Sequence, residues 1–218
     1  MVRGRGVARR QVLAALALTV LAALTGCGGG HQSPEATVSD AGRDTTIMII
    51  RHGEKPGHGE QGVDEAGRPD KKSLTRRGWR RADALPRLFA AEPGRPAPKL
   101  PRPATLFAAA DTGPHAGAHR MRQTVTPLSK ALHLPVDTSV AEGQETRLAT
   151  AALAAKAPVL ISWEHSRIPA IVRALGAAQA RGVPGKWPER FDLVWEFTRT
   201  GGNWAFRSVP QHLLDGDE

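Results

Sequence analysis

Two short apolar runs in this chain end directly on a histidine-bearing charged turn, and that arrangement limits the folds open to it. Thr45–Ile50 reads TTIMII and leads into Arg51-His52-Gly53-Glu54. Pro158–Trp163 reads PVLISW and leads into Glu164-His165-Ser166. Runs this short and this poor in polar residues predict strands covered on both faces by helices. Strands that stop at glycine and charged groups place those groups at the carboxyl edge of an open α/β sheet, where such folds bind ligands.

The segments between them fit the same plan. Residues 57–72 are polar and rich in Gly and Asp, a loop. Ser73–Ala90 predicts a helix that Thr75 caps, with Trp79, Ala82, Leu85 and Leu88 on its apolar side. Gly78 inside it suggests close packing, and Pro86 bends or restarts it. Residues 91–103 are a Pro-rich connection. Ala104–Ala110 predicts a buried strand, Asp111–Ala118 a glycine-containing loop, His119–Leu132 a helix and Leu134–Val140 a short strand. Gln144–Ala155 and Ile168–Gln179 predict further helices. Phe191–Thr198 and Trp204–Val209 flank Gly201-Gly202-Asn203 as an antiparallel hairpin. The alternation predicts an α/β fold: a three-layer α/β/α sandwich, with a mostly parallel central sheet, helices on both faces and a C-terminal β-hairpin. We find no internal repeat.

The first 26 residues read as an export signal. Four arginines and no acid precede an apolar stretch, 12–24, that is shorter than the roughly 20 residues a bilayer span needs. The segment ends Leu24-Thr25-Gly26-Cys27, which resembles a bacterial lipobox, and Cys27 is the only cysteine. Lipidation at Cys27 is therefore expected, with residues 27–44 a flexible tether and 45–218 the folded domain. Arg9-Arg10 loosely resembles a twin-arginine signal, so the export route stays open. A lipid anchor would hold the domain in the cell envelope, outside the cytoplasmic membrane and facing the periplasm. Removing the four arginines of the signal lowers the formal net charge from +9 by four. Part of the basic balance thus belongs to export, and no basic run interleaved with aromatics points to nucleic acid. One cysteine also rules out an intrachain disulfide and a multi-thiolate zinc site.

In a parallel sheet, Arg51, His52, His165 and Arg120, which begins the helix after a third strand, would converge at one edge. Two arginines and two histidines there form a donor cluster suited to a phosphate group. A neutral imidazole titrating near pH 7 can also attack phosphorus.

Four ordered strings now carry a resemblance: Arg51-His52-Gly53-Glu54, Leu74-Thr75-Arg76-Arg77-Gly78, Arg120-Met121-Arg122-Gln123-Thr124 and Glu164-His165-Ser166. Together, over roughly residues 45–211, they resemble the histidine phosphatase superfamily, the group of phosphoglycerate mutases and acid phosphatases. Trp163–Pro169 and Gln211–Asp217 are also similar to its small members. The resemblance implies that His52 is the nucleophile that accepts the phosphoryl group. It implies that Arg51 and Arg120 clamp the phosphate and that His165 donates to its oxygens, with Arg122 the alternative to Arg120. It further implies a phosphomonoester hydrolase working through a phosphohistidine, with no cofactor or metal, since arginines supply the positive charge.

The general acid stays open. The mutase-like branch uses a glutamate in the interval that holds Glu142 and Glu145; the order of preference is Glu145, Glu142, Glu54, with Glu164 a further rival. Two departures stand out: Ser166 occupies the place of the acid-phosphatase aspartate, and no serine starts the loop before Arg120. The short domain lacks an obvious insertion to enclose a diphosphorylated intermediate, which favours hydrolysis over mutase chemistry. The substrate could be a phosphorylated small molecule or a phosphoprotein, and the oligomeric state is open. The competing readings are a non-catalytic phospholigand-binding lipoprotein and a structural envelope lipoprotein. His115 and His119 read as rim or substrate contacts rather than metal ligands. His31 reads as a tether residue, and His58 and His133 as surface residues. Trp79, Trp187, Trp195 and Trp204 read as packing residues.

Overall fold

The computed structural model describes residues 43–57, 59–90 and 100–218. The signal segment, Cys27, nearly all of the 27–44 stretch, His31 and His58 lie outside the described residues. Among the described residues, no helix is long and apolar enough to cross a membrane.

The predicted alternation is present. Strand β1 (Thr45–Arg51) leads to helices α1 (Arg76–Ala84) and α2 (Pro86–Phe89), then strand β2 (Thr105–Ala108). Helix α3 (Arg120–Leu132), strand β3 (Val136–Asp137), helix α4 (Glu145–Ala154) and strand β4 (Val159–Trp163) follow. Helix α5 (Ile168–Ala174) and the strands β5 (Leu193–Thr200) and β6 (Asn203–Pro210) complete the chain. The six strands form one sheet in the order β3-β2-β4-β1-β5-β6. The first four are parallel; β5 runs antiparallel to β1 and pairs with β6 as a hairpin.

The crossovers explain the layers. From β1 to β2 and from β2 to β3 the chain steps one way across the sheet, and from β3 to β4 it steps back. Right-handed connections then place α1 and α3 on one face and α4 on the other. Helix α1 packs on α3, and α4 packs on α5. Ile47, Met48, Ile49 and Ile50 are each 0% exposed, as expected of a strand covered on both faces.

Local chemistry sets the element ends. The Thr75 hydroxyl accepts from the Gly78 amide at 3.2 Å and starts α1. Pro86 opens α2, where its missing N–H costs nothing. Gly201 and Gly202 take φ of +55° and +84°, the paired positive values a two-residue hairpin turn needs. Two expectations are shortened. The strand expected over 134–140 pairs only at Val136–Asp137. The helix expected over 168–179 ends at Ala174, with Gly176 at φ +75° just beyond.

Candidate active site

Parallel pairing of β1 with β4 puts Arg51 opposite Trp163, so the two charged turns leave the sheet side by side. The His52 amide donates to the Trp163 carbonyl at 3.1 Å and extends that pairing one residue past the strand. The Gly53 amide then donates to Thr124 Oγ1 at 2.8 Å, and that hydroxyl donates to the Arg120 carbonyl at 2.7 Å. One hydroxyl thus joins the turn after β1 to the first turn of α3. On the other side the turn lies against α1. A Cβ on Gly78 would sit 2.6 Å from the Glu54 carbonyl oxygen, so only glycine permits this approach.

His52 is 1% exposed. Its Nδ1 lies 2.6 Å from the Gly53 carbonyl, a geometry that protonates Nδ1 and leaves Nε2 with a free lone pair. Burial, then the charges of Arg120 and Arg51, lower its pKa to about 3 against the opposing pull of the Gly53 bond. The imidazole is therefore neutral and nucleophilic across the physiological range.

Arg51 is buried, and its guanidinium carbon stacks 3.9 Å from the centre of the Phe191 ring. Its Nε and Nη1 are buried without hydrogen-bond partners, as is Nε of Arg120. Buried cationic donors left open in this way mark a place for an anion. Burial lowers the pKa of both arginines, and Glu142 and Glu164 are among the carboxylates near Arg120. Arg120 and Arg122 differ in their partners. Arg122 Nε donates to Asp111 at 2.5 Å and its Nη2 to Glu65 at 3.1 Å. Among the described residues the Arg120 side chain makes one bond, from Nη1 to the Lys71 carbonyl, and its charge acts on His52.

His165 joins the cluster. One ligand atom from each of His52, Glu164 and His165 lies within 4.8 Å of the others. Burial, then Arg51, lowers the pKa of His165 despite Glu164 beside it. Glu164 Oε1 stands 2.6 Å from His165 Nδ1 without hydrogen-bond geometry. Burial pushes the Glu164 carboxyl up, but bonds from Ser166 and the charge of His165 outweigh this and hold it low. Two imidazoles and a carboxylate are a donor set a metal ion accepts. Here they share their space with two open arginines, whose positive field suits an anion better than a cation.

The three candidate acids separate. Glu145, preferred from sequence, is buried and accepts from the Trp163 indole at 3.2 Å and the Gly143 amide at 2.9 Å. Those bonds tie its carboxylate to β4 and to the turn before α4. Glu54 is held by Arg77 at 3.1 Å and Arg81 at 2.8 Å, and Arg81 also binds Asp217 at 2.7 Å. That network explains the Gln211–Asp217 motif as a lock between the C-terminal segment and α1. Glu142 fits best. Burial, then Glu164, raises its pKa against the opposing charges of Arg167 and Arg120.

His119 pairs with Asp111 at 3.1 Å, while His115 and His133 are exposed. Trp187 stacks 4.6 Å from Trp195, and the Trp79 indole donates to the Val63 carbonyl. Trp204 sits edge-on to Phe197 across the hairpin. Sequence reasoning assigned Phe191 to a strand and passed over Glu189 and the clamp role of Thr124. Phe191 and Glu189 precede β5 in a segment with no motif, so only the fold brings them to Arg51. A cleft of about 670 Å³ lined by Val63, Trp79 and Pro127 contains none of Arg51, His52, Arg120, Glu142 and His165.

No protein-family model matches the sequence, and no curated relative does. Solved structures of similar outline include a mycobacterial glucosyl-3-phosphoglycerate phosphatase, at 14% identity over 79% of this chain and 100% of that one, with a TM-score of 0.42. They include a phosphoglycerate mutase from Bacillus anthracis, at 11% identity over 78% and 94% of the two chains, with a TM-score of 0.43. A protein from Agrobacterium tumefaciens described as a phosphohistidine phosphatase, SixA, matches at 16% identity over 77% and 98%, with a TM-score of 0.40. Those activities belong to those proteins, and the chemistry of this chain is read from its own residues.

Proposed function

We propose that this chain is a phosphomonoester hydrolase that works through a phosphohistidine at His52. The observation that carries the reading is a neutral, Nδ1-tethered imidazole beside the buried Arg51 and the half-buried Arg120, both with open buried donors. Substrate phosphate docks on Arg51, Arg120 and His165. The Nε2 lone pair of His52 forms a bond to phosphorus as the bond to the leaving oxygen breaks. Glu142, whose pKa its surroundings raise, gives its proton to that oxygen. Water then attacks phosphorus and passes a proton to the Glu142 carboxylate. The P–N bond breaks, and inorganic phosphate leaves. Fixed donors meet the charge on the phosphoryl oxygens throughout, so no step requires a metal.

We extend the proposal to the location of the enzyme. The lipobox-like end at Cys27 supports cleavage after residue 26, a lipid anchor, a tether to residue 44 and a catalytic domain from 45 to 218. The domain would then meet phosphorylated small molecules or phosphoproteins in the envelope. Cys27→Ser should release the chain from membranes and abolish fatty-acid labelling.

The activity is tested with the purified protein on a panel of phosphomonoesters in EDTA, beside His52→Ala. Turnover that survives chelation and disappears in the variant, with an acid-labile phosphoenzyme trapped from the wild type, is the expected result. A folded protein that binds phosphate and turns over nothing would instead be a phospholigand-binding lipoprotein.

A further inference from the structure

Glu189 stands at the mouth of the site, and its side chain is 85% exposed. Among the described residues its ion-pair partners are the groups that would hold phosphate. Oε2 lies 3.8 Å from Arg51 Nη1, and Oε1 lies 3.9 Å from His165 Nε2. The two oxygens of one carboxylate thus face two arms of the clamp, without hydrogen-bonding to either. The backbone beneath is fixed: Trp187 stacks on Trp195, its indole donates to the Arg190 carbonyl at 3.0 Å, and Arg190 is held by Asp192. A free carboxylate on a fixed base can swing without moving the site.

An entering phosphate takes over Arg51 and His165. Glu189 then loses both partners and is left beside a dianion. Glu164 stands against His165, and Glu142 faces Glu164, so the rim already carries negative charge. Its cations are Lys55, whose charge reaches His165, and Arg167, which lies 3.8 Å from Glu142. Neither pairs with Glu189. A leaving group that carries its own positive charge would restore a partner to the displaced carboxylate, whereas an anionic one would add a third repulsion.

On the reading that this site hydrolyses phosphomonoesters, we propose that Glu189 is a specificity-determining residue. It selects substrates with a cationic group close to the phosphate, such as aminoalkyl phosphates, over those bearing a carboxylate.

The test uses the full chain with three esters of similar size: 2-aminoethyl phosphate, propyl phosphate and phosphoglycolate. The expected order of kcat/KM is the order just given. Glu189→Gln should compress the ratio of first to last by about tenfold, a change of roughly 1.4 kcal/mol. Glu189→Lys should invert it. The same ranking is read as binding by calorimetry. Turnover with an unchanged ratio in Glu189→Gln overturns the inference and leaves the hydrolase standing. The expected ranking in binding without turnover supports the inference and removes the hydrolase. Failure to bind even inorganic phosphate removes both.

Discussion

The hydroxyl of Thr124 accepts the Gly53 amide at 2.8 Å and donates to the Arg120 carbonyl at 2.7 Å. The turn that carries His52 and the first turn of α3 are therefore positioned by one side chain that is 1% exposed. Thr124→Val keeps the shape and removes the bond, leaving a buried amide without a partner. A stability loss of about 1–3 kcal/mol is expected, with a fall in kcat that exceeds the change in KM. Thr124→Ser should restore most of both. Urea melts beside steady-state kinetics of the two variants check this.

His52 also governs stability at low pH. Its pKa is 6.5 as a free group and falls to about 3 when folded. Above pH 6.5 both states hold a neutral ring. Between 6.5 and 3 the unfolded chain binds a proton that the native chain refuses, so stability falls as pH drops through this window. His52→Gln should reduce proton uptake on unfolding at pH 5 by up to about one per molecule. An acid-unfolding curve that does not move in the variant would falsify the burial argument.

Arg120 and Arg122 should separate cleanly. Arg120→Ala removes an open donor from the phosphate site and should cost on the order of 10²-fold or more in kcat/KM. Arg122→Ala breaks pairs to Asp111 and Glu65 and should lower the melting temperature with a much smaller effect on rate. The reverse pattern would assign the clamp to Arg122.

The acid is tested through the leaving group. Glu142→Gln should suppress turnover of alkyl phosphates far more than of p-nitrophenyl phosphate, whose leaving oxygen needs little protonation. In the wild type, kcat on alkyl phosphates should fall as pH rises through the elevated pKa of Glu142, because the acid loses its proton. Glu145→Gln should keep this pH limb, and Glu145→Ala should lose stability, since the side chain accepts from the Trp163 indole and the Gly143 amide.

Gly78 tests the contact behind the nucleophile. At an exposed helix position, Gly→Ala stabilises by about 1 kcal/mol. Here the added Cβ would meet the Glu54 carbonyl at 2.6 Å and the Glu54 amide at 2.9 Å. Gly78→Ala should therefore destabilise, with loss of activity as the turn is pushed away. A more stable, fully active variant would refute the close approach.

Much of this protein was legible without coordinates because the relevant signals are local. The apolar run at 45–50, the Thr75 cap, the Pro86 restart and the Gly201-Gly202 turn act through their own backbone and immediate neighbours. Arg51, His52, Arg120 and His165 were legible too, since strand ends in a parallel sheet share one edge. The acid was not. Glu142 and Glu145 lie three residues apart in the same run. What separates them is a bond from Trp163 on β4 to one, and burial beside Glu164 to the other. Phe191 on Arg51 and Glu189 at the mouth were equally hidden, because the segment before β5 reaches the site only when the hairpin closes on β1. Residue type and spacing determine which groups exist and which elements carry them. Their pKa values and pairings depend on burial and on charges brought close from distant parts of the chain, and only the tertiary structure decides those.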